Sequence, residues 1–304
     1  MFAKTTSLLK KAQKGKYAVA HFNINNMEIV QAVVSAASRL RAPIILATSE
    51  GALKYAGMEY LFSLSKTAAE RTKMPIALHL DHGRDLKIIQ KAIDLGYSSV
   101  MFDGSHLSFE KNIQITKKVV KMAHAKGVSV EAELGTIGGA EDLVSARKII
   151  YTDPQRAREF VERTGCDILA VAIGTSHGAY KFKGKANLQL GVLDKIRKNV
   201  GAPLVLHGAS GVPKSVVKIA EKYGANLSGV QGIPDAQIKK SIRLGITKIN
   251  TDTDLRLAFD AGIRKFIKDK PTDFDPRHIL GPAREMIQKV AEERIKLFGS
   301  VRKG

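Results

Sequence analysis

The sequence predicts a single-domain (β/α)8 barrel of the α/β class, spanning residues 1–304, with a C-terminal helical extension over about 267–304. Three observations carry that expectation. Eight short runs of β type recur along the chain. Most are unbroken in Val, Ile, Leu and Ala, as strands covered on both faces must be. Helix-period segments separate them, and repeated strand–helix alternation of this size closes into a barrel. A doubly wound open sheet is the alternative, but no glycine fingerprint follows the first strand, and no linker divides the chain.

The eight runs are Tyr17–Asn23, Pro43–Ser49, Pro75–Asp81, Ser98–Gly104, Val128–Gly135, Asp167–Gly174, Pro203–Ser210 and Ile246–Thr253. Between them the helical period appears at Met27–Leu40, Asp85–Leu95, Phe109–Lys126, Pro154–Thr164, Ser215–Tyr223 and Asp235–Leu244. Asp153-Pro154 is a start signal, and Gly96, Gly127 and Gly245 are stop signals. Met1 to Tyr17 is a Lys-rich amphipathic segment without the apolar core of a signal peptide. After the eighth strand, Asp254–Phe266 reads as helix and Lys268–Asp275 as a polar loop ended by Pro276. A final amphipathic helix is expected from about Pro282 to Phe298. Gly135 to Ile149 is the other long irregular piece; Gly135, Gly138 and Gly139 give it a backbone that can move as a lid.

An apolar content of 44% and a charged content of 26% fit a globular chain. No run approaches the roughly 18 apolar residues of a membrane span, so no membrane partner is expected. The single cysteine, Cys166, excludes an intrachain disulfide and fits a reducing, cytoplasmic compartment. With no His or Asn beside it, Cys166 reads as a core residue rather than a nucleophile. The net charge of +20 admits nucleic acid, an acidic surface or small anionic substrates. Its cations lie in helix-like stretches such as Lys111–Lys126 and Ile263–Lys270, which is how a solvated face looks. No aromatics are regularly interleaved to stack on bases, and no helix-turn-helix or zinc-finger spacing occurs, so nucleic acid is not expected.

Chemistry in such a barrel sits where the strand C-termini converge. Those ends carry Asn23, Ser49, Asp81-His82, Asp103, Glu133, His177, His207-Gly208-Ala209-Ser210 and Asn250-Thr251-Asp252-Thr253. On the strand ending at Leu80-Asp81, His79 and Asp81 share a face, and His82 falls at the turn just beyond. His82, His177 and His207 come from three separate strand ends. Three imidazoles on one rim leave a coordination position open, as a catalytic zinc site requires. His106 is the best rival ligand. His79 suits an orienting role, His21 and His278 a structural one, and His124 a surface helix.

Gly174-Thr175-Ser176-His177-Gly178, His207-Gly208-Ala209-Ser210-Gly211 and Asn250-Thr251-Asp252-Thr253 place Gly and hydroxyl residues after strands six, seven and eight. Backbone N–H groups and hydroxyls in this sector often hold phosphate, although ordinary tight turns use the same residues. The basic loop Lys181-Phe182-Lys183-Gly184-Lys185 could attract an anion, but a solvated loop explains it better. Strands six and seven contain no lysine for Schiff-base chemistry. Lys248 in strand eight shares parity with Asn250 and is expected to pair with a strand-five carboxylate such as Glu131.

Taken together, His79-Leu80-Asp81-His82-Gly83, Glu133-Leu134-Gly135 through Gly138-Gly139-Ala140-Glu141-Asp142, His207-Gly208-Ala209-Ser210-Gly211 and Asn250 through Arg256 resemble the class II fructose-bisphosphate aldolases. Phe22-Asn23 and Thr48-Ser49-Glu50-Gly51-Ala52 do so too, and the similarity spans nearly the whole chain in order. The resemblance implies a catalytic divalent ion, usually Zn2+, on His82, His177 and His207. Asp103 and Glu133 would take an alternative or supporting position at that metal. It implies Asp81 as the acid/base at the C4 hydroxyl of fructose 1,6-bisphosphate, and Glu141 as the group exchanging the C3 proton of dihydroxyacetone phosphate. Gly178, Gly208, Ala209, Ser210, Asn250, Thr251, Asp252 and Thr253 would bind the triose phosphate, with a monovalent cation (Na+ or K+) possible nearby. Asn23 and Ser49 would line the aldehyde half. Asp252 and Arg256, with Gly83 where tagatose-bisphosphate enzymes often have a second His, favour the fructose substrate over tagatose 1,6-bisphosphate. Relatives are homodimers or homotetramers, and the tail around Arg277 is a candidate for self-association. A metal-dependent sugar-phosphate epimerase or isomerase is the more distant alternative.

Overall fold

The computed structural model describes residues 2–141, 144–146, 149–178 and 187–304, with the side chains of 140, 141 and 144–146 excepted. Eight parallel strands close a barrel: β1 (Val19–Asn23), β2 (Ile44–Ser49), β3 (Ile76–Gly83), β4 (Ser99–Phe102), β5 (Ser129–Leu134), β6 (Ile168–Val171), β7 (Leu204–Leu206) and β8 (Ile246–Thr251). Each pairs with its sequence neighbours, and β8 closes on β1, with His21 opposite Asn250. The eight predicted runs are these strands with ends shifted by one to four residues: β1 and β2 start later than expected, β4 to β8 stop short of their predicted ends, and β3 runs past Asp81 to Gly83.

The helices at Met27–Leu40 and Pro154–Thr164 have the expected bounds. Asn26 caps the first and Asp153 the second, each accepting a backbone N–H of the opening turn. Helices over Glu50–Ala56, Met58–Glu70 and Leu190–Asn199 were not foreseen. The first two abut at Gly57, whose φ of +85° turns the chain between them. The last helix is longer than expected. It begins at Pro276, capped by Asp275, and runs to Phe298 with Pro282 inside it. Proline suits a first helical turn, and the sequence offers two; the earlier one starts the helix. The preceding helix extends to Asp269, leaving Lys270–Asp275 as the loop. These two helices pack closely at Gly262, where an added Cβ would lie 2.5 Å from the Ala283 Cα.

The barrel interior is layered. At the N-terminal mouth, Val19, Ile45, Ala77, Ile168, Ala170 and Val205 form an apolar floor, covered by Leu8, Leu9 and Ala12 of the helix Thr5–Gly15. The amphipathic N-terminal segment is thus a plug. Above the floor comes a charged layer: His21, His79, Glu131 and Lys248 are all fully buried. Barrels usually fill this level with branched apolar residues. Here it is built from ionisable groups, and it supports the rim above.

The described residues between Gly135 and Ile150 form regular strand pairing rather than an irregular lid. Gly138–Glu141 pairs antiparallel with Val144–Ala146 and parallel with Ser176–His177, and a bridge joins Thr136 to Ile150. The glycines explain the pairing: a Cβ on Gly139 would sit 2.4 Å from the His177 carbonyl oxygen.

Candidate metal centre and active site

His82 does not lie beyond β3; it is within it. Its φ is +49°, in the left-handed region that a non-glycine residue seldom occupies, and the β3–β4 register slips between Leu80 and Gly83. Such an irregularity re-aims side chains, so consecutive Asp81 and His82 both reach the rim cavity. That cavity is lined by Asn23, Asp81, His82, His177, Gly208, Ser210, Asn250 and Asp252. All eight were singled out in the sequence.

The three imidazoles gather edge to face. Ring centroids lie 4.6 Å apart for His82–His207, 5.1 Å for His82–His177 and 6.4 Å for His177–His207. Three rings on one tetrahedral zinc, with Zn–N near 2.0–2.1 Å, have centroids about 5 Å apart. Two separations match, and the third is wider.

Carboxylates back two of the rings. His207 Nε2 donates to Glu131 Oε1 at 2.7 Å, and Lys248 Nζ holds the other Glu131 oxygen at 2.7 Å. His82 Nδ1 donates to Asp103 Oδ2 at 3.2 Å, an oxygen that also accepts Arg84 Nε at 3.1 Å and Nη2 at 2.8 Å. With their far nitrogens committed, His207 Nδ1 and His82 Nε2 face each other at 2.9 Å. Two neutral rings would oppose lone pair to lone pair, so something positive must stand between them: a proton or a cation. Burial alone would lower the His82 imidazole, but Asp81, Asp103 and Glu133 push it up to about 10. Burial lowers His207 to about 4, with His82 adding to the effect. The surrounding charges therefore favour a positive His82 over a positive His207, at the place where a divalent ion would satisfy the same carboxylates.

Asp81 is oriented by amides. Asn23 Nδ2 donates to its Oδ2 at 2.8 Å and Asn250 Nδ2 to its Oδ1 at 3.1 Å, while His21 Nε2 donates to Asn23 Oδ1 at 3.0 Å and fixes that amide. Burial opposes the Asp81 charge, yet His21 and His82 hold its carboxyl well below the usual range. Glu133 is the opposite case: burial, then Asp103, push it well above its ordinary value, and its Oε2 is buried without a hydrogen-bond partner. Thr175 Oγ1, Asn250 Oδ1 and Thr251 Oγ1 are also buried and unpartnered. Unsatisfied buried oxygens at a rim mark where an ion or ligand belongs. Among the described residues, Asp81–His82–His207 and His82–Asp103–Glu133 each bring their ligand atoms within 4.8 Å of one another. A third such group, His21–His79–Asp81, joins Asp81 at the rim to two imidazoles of the buried layer below.

Other predicted residues stand around this centre. Ser49 Oγ accepts the Ala52 N–H and caps a helix. Asp252 and Arg256 pair with each other, Arg256 Nε donating to Oδ1 at 2.9 Å. Ala209 is buried, Gly208 and Gly178 have φ of +59° and +81°, and Thr253 opens the helix Thr253–Asp269. A Cβ on Gly208 would lie 2.7 Å from the Ser176 carbonyl. His106 is exposed and joins none of the three groups. His124 and His278 form exposed pairs with Asp167 and Asp273. The side chains of Glu141 and Asp142, and Lys181–Lys185, lie outside the described residues.

Sequence reasoning missed Arg84 and the Asp254–Arg294 support. Asp254 carboxylate oxygens accept the Gly211 and Val212 N–H groups at 3.1 and 2.7 Å, and Arg294 from the last helix stands 3.8 Å from it. A buried Asp beside the Asn250–Thr253 motif was the available signal; Arg294 had none.

A family model described as Fructose-bisphosphate aldolase class-II matches residues 3–303. The chain belongs to that family. A fructose-bisphosphate aldolase of Thermus caldophilus is 50% identical over 296 residues, 97% of each chain. One of Helicobacter pylori is 44% identical over 306 residues, 100% of each. The crystal structure of the YdjI aldolase from Escherichia coli K12 matches with a TM-score of 0.82 at 36% identity, covering 100% of this chain and 99% of the other. Membership in the class II aldolase family implies a metal cofactor and phosphorylated sugar substrates, and the His and carboxylate groups above could hold such a metal.

Proposed function

We propose that this chain is a zinc-dependent aldehyde-lyase that reversibly cleaves fructose 1,6-bisphosphate to dihydroxyacetone phosphate and glyceraldehyde 3-phosphate, in the direction of glycolysis or gluconeogenesis. The observation that carries it is the His82–His207 pair, whose two ring nitrogens face each other while carboxylates hold the far sides. His82, His177 and His207 would hold the ion; its bound form supplies Lewis acidity beside the ketose carbonyl. Asp103 acts through His82, and Glu133 offers an unpartnered oxygen as the alternative position.

Asp81, fixed by Asn23 and Asn250, accepts the C4 hydroxyl proton as the C3–C4 bond breaks and returns it in condensation. Glu141, on the strand paired to His177, would move the C3 proton. Gly178, Gly208, Ala209, Ser210, Asn250, Thr251, Asp252 and Thr253 would seat the triose phosphate, with Asn23 and Ser49 toward the aldehyde. Na+ or K+ is proposed beside the buried oxygens of Asn250 and Thr251. Lys248, engaged by Glu131, is not placed to form a Schiff base.

The choice of fructose over tagatose bisphosphate rests on the Asp252–Arg256 pair. Gly83 speaks less to the sugar than to packing, since a Cβ there would lie 2.6 Å from the Met101 carbonyl. A coupled triose assay tests the reading. Chelator should abolish triose release from fructose 1,6-bisphosphate and zinc restore it; activity persisting in chelator, with borohydride trapping sugar on a lysine, refutes it. Running tagatose 1,6-bisphosphate alongside decides between the epimers.

Self-association as a homodimer or homotetramer is supported by the exposed apolar side chains of Phe274 (90%) and Ile267 (51%), both in the C-terminal region. A cytoplasmic location accords with the lone buried Cys166. No helix among the described residues is long and apolar enough to cross a membrane.

A further inference from the structure

A cavity of ≈ 630 Å³ opens at the opposite end of the barrel from the metal centre, among the helix Met58–Glu70, the segment Gly96–Ser98 before β4 and the turn Lys126–Val128 before β5. Ser98 lines this cavity and Asp103 stands at the rim, five residues apart along an extended strand, so about 16 Å separates the two. The volume falls within the roughly 300–1,000 Å³ of small-molecule sites.

The lining divides by chemistry. Phe62 and Tyr97 form an aromatic wall, their rings near-parallel at 23° with centroids 6.2 Å apart, and Phe2 meets the edge of Phe62 at 5.9 Å. Tyr97 is itself only 1% exposed, with its hydroxyl against Thr48 Oγ1 3.0 Å off, so it backs Phe62, and the partly buried Phe62 and Phe2 present the apolar side of the cavity. Lys4, Lys66 and Lys126 supply three cations, and Glu70 is the single acid. Among the described residues none of the three lysines has a carboxylate within ion-pair distance, although this protein pairs many of its surface lysines and arginines. The formal charge of the lining is therefore +2. A phosphate monoester carries close to −2 at neutral pH, and lysine ammoniums are effective point-charge partners for it.

We propose that this cavity is a binding site for a nucleoside monophosphate, distinct from the catalytic rim, with the phosphate among Lys4, Lys66 and Lys126 and the planar base against Phe62, which Tyr97 backs from behind. The aromatic wall gives the base apolar and stacking contact without reading its identity. Glu70 can accept from an exocyclic amine. The proposal is independent of the sugar cleaved at the rim.

The test uses the zinc-loaded full-length protein and adenosine 5′-phosphate, followed by calorimetry. One saturable site per chain is expected, still present when fructose 1,6-bisphosphate saturates the rim. Adenosine and ribose 5-phosphate, each lacking half of the recognised chemistry, should bind more weakly than the whole nucleotide. Lys66→Glu/Lys126→Glu should raise Kd about ten- to a hundredfold, the loss expected for charge-assisted hydrogen bonds, while leaving triose release unchanged. Phe62→Leu should weaken adenosine 5′-phosphate and leave ribose 5-phosphate unaltered. Absence of saturable binding, displacement by fructose 1,6-bisphosphate, or an unchanged Kd in the double lysine variant overturns the proposal.

Discussion

His82 is the residue on which the site turns. Its φ of +49° places it where only a compensating structure keeps a non-glycine, and Asp103, held by Arg84, grips its Nδ1. In metal-free protein its raised value, about 10, favours the fold below about pH 6.5, the unperturbed imidazole value, and that contribution is lost as pH climbs toward 10. His207, lowered to about 4, works the other way: below about 6.5 the unfolded chain takes a proton that the fold refuses until pH nears 4. The thermal midpoint of chelator-treated protein should thus fall on both sides of neutrality. A midpoint that keeps rising toward pH 10 contradicts a positively charged His82 in the metal-free protein. Asp81→Asn should retain metal and lower kcat about 10²–10⁴-fold, the usual worth of a positioned acid/base; loss of metal along with turnover would move Asp81 into the ligand set. Cys166, buried and pushed up to about 12, should resist thiol reagents until the chain unfolds.

At the scale of elements, His177 depends on a neighbour rather than on its own strand. Ser176–His177 is held by Gly138 and Gly139 across a parallel pairing, and Gly139 has no room for a side chain. Gly139→Ala should shift His177 and weaken zinc affinity, measured by competition with a chromogenic chelator, while leaving the barrel's circular dichroism intact; unchanged affinity would detach the glycine pair from the metal. The strands were legible because burial on both faces writes them as apolar runs, and the rim residues because nearly every run ended in a polar side chain. What stayed hidden depended on contacts distant in sequence. The His82 twist comes from a β3–β4 register slip, and Arg294 reaches Asp254 from the last helix. Met58–Glu70 buries only Met58, Leu61 and Ser65, too sparse a stripe to announce a helix. Pro282 masked the first turns of the final helix because proline more often starts one than continues it.

The whole molecule is organised as a column: an apolar floor closed by the helix Thr5–Gly15, a layer of buried ionisable groups, and the metal rim above. Leu9, fully buried in the plug, links the N-terminus to the floor. Leu9→Ala should cost about 2–5 kcal/mol of stability, read by denaturant unfolding; a loss under 1 kcal/mol would mean that the plug only covers the mouth. The charged layer explains why Lys248, though buried beneath the rim, serves as a fixed counter-ion for Glu131 rather than as a nucleophile. On the proposed reading this column aims three rings at one cation, and His177 is the ring that stands farthest from His207. The most direct test is the zinc content at equilibrium of wild type, His82→Ala, His177→Ala and His207→Ala. One zinc per chain in the wild type and loss of it in each variant is the expected result; full zinc retention by His177→Ala would contradict the three-imidazole centre.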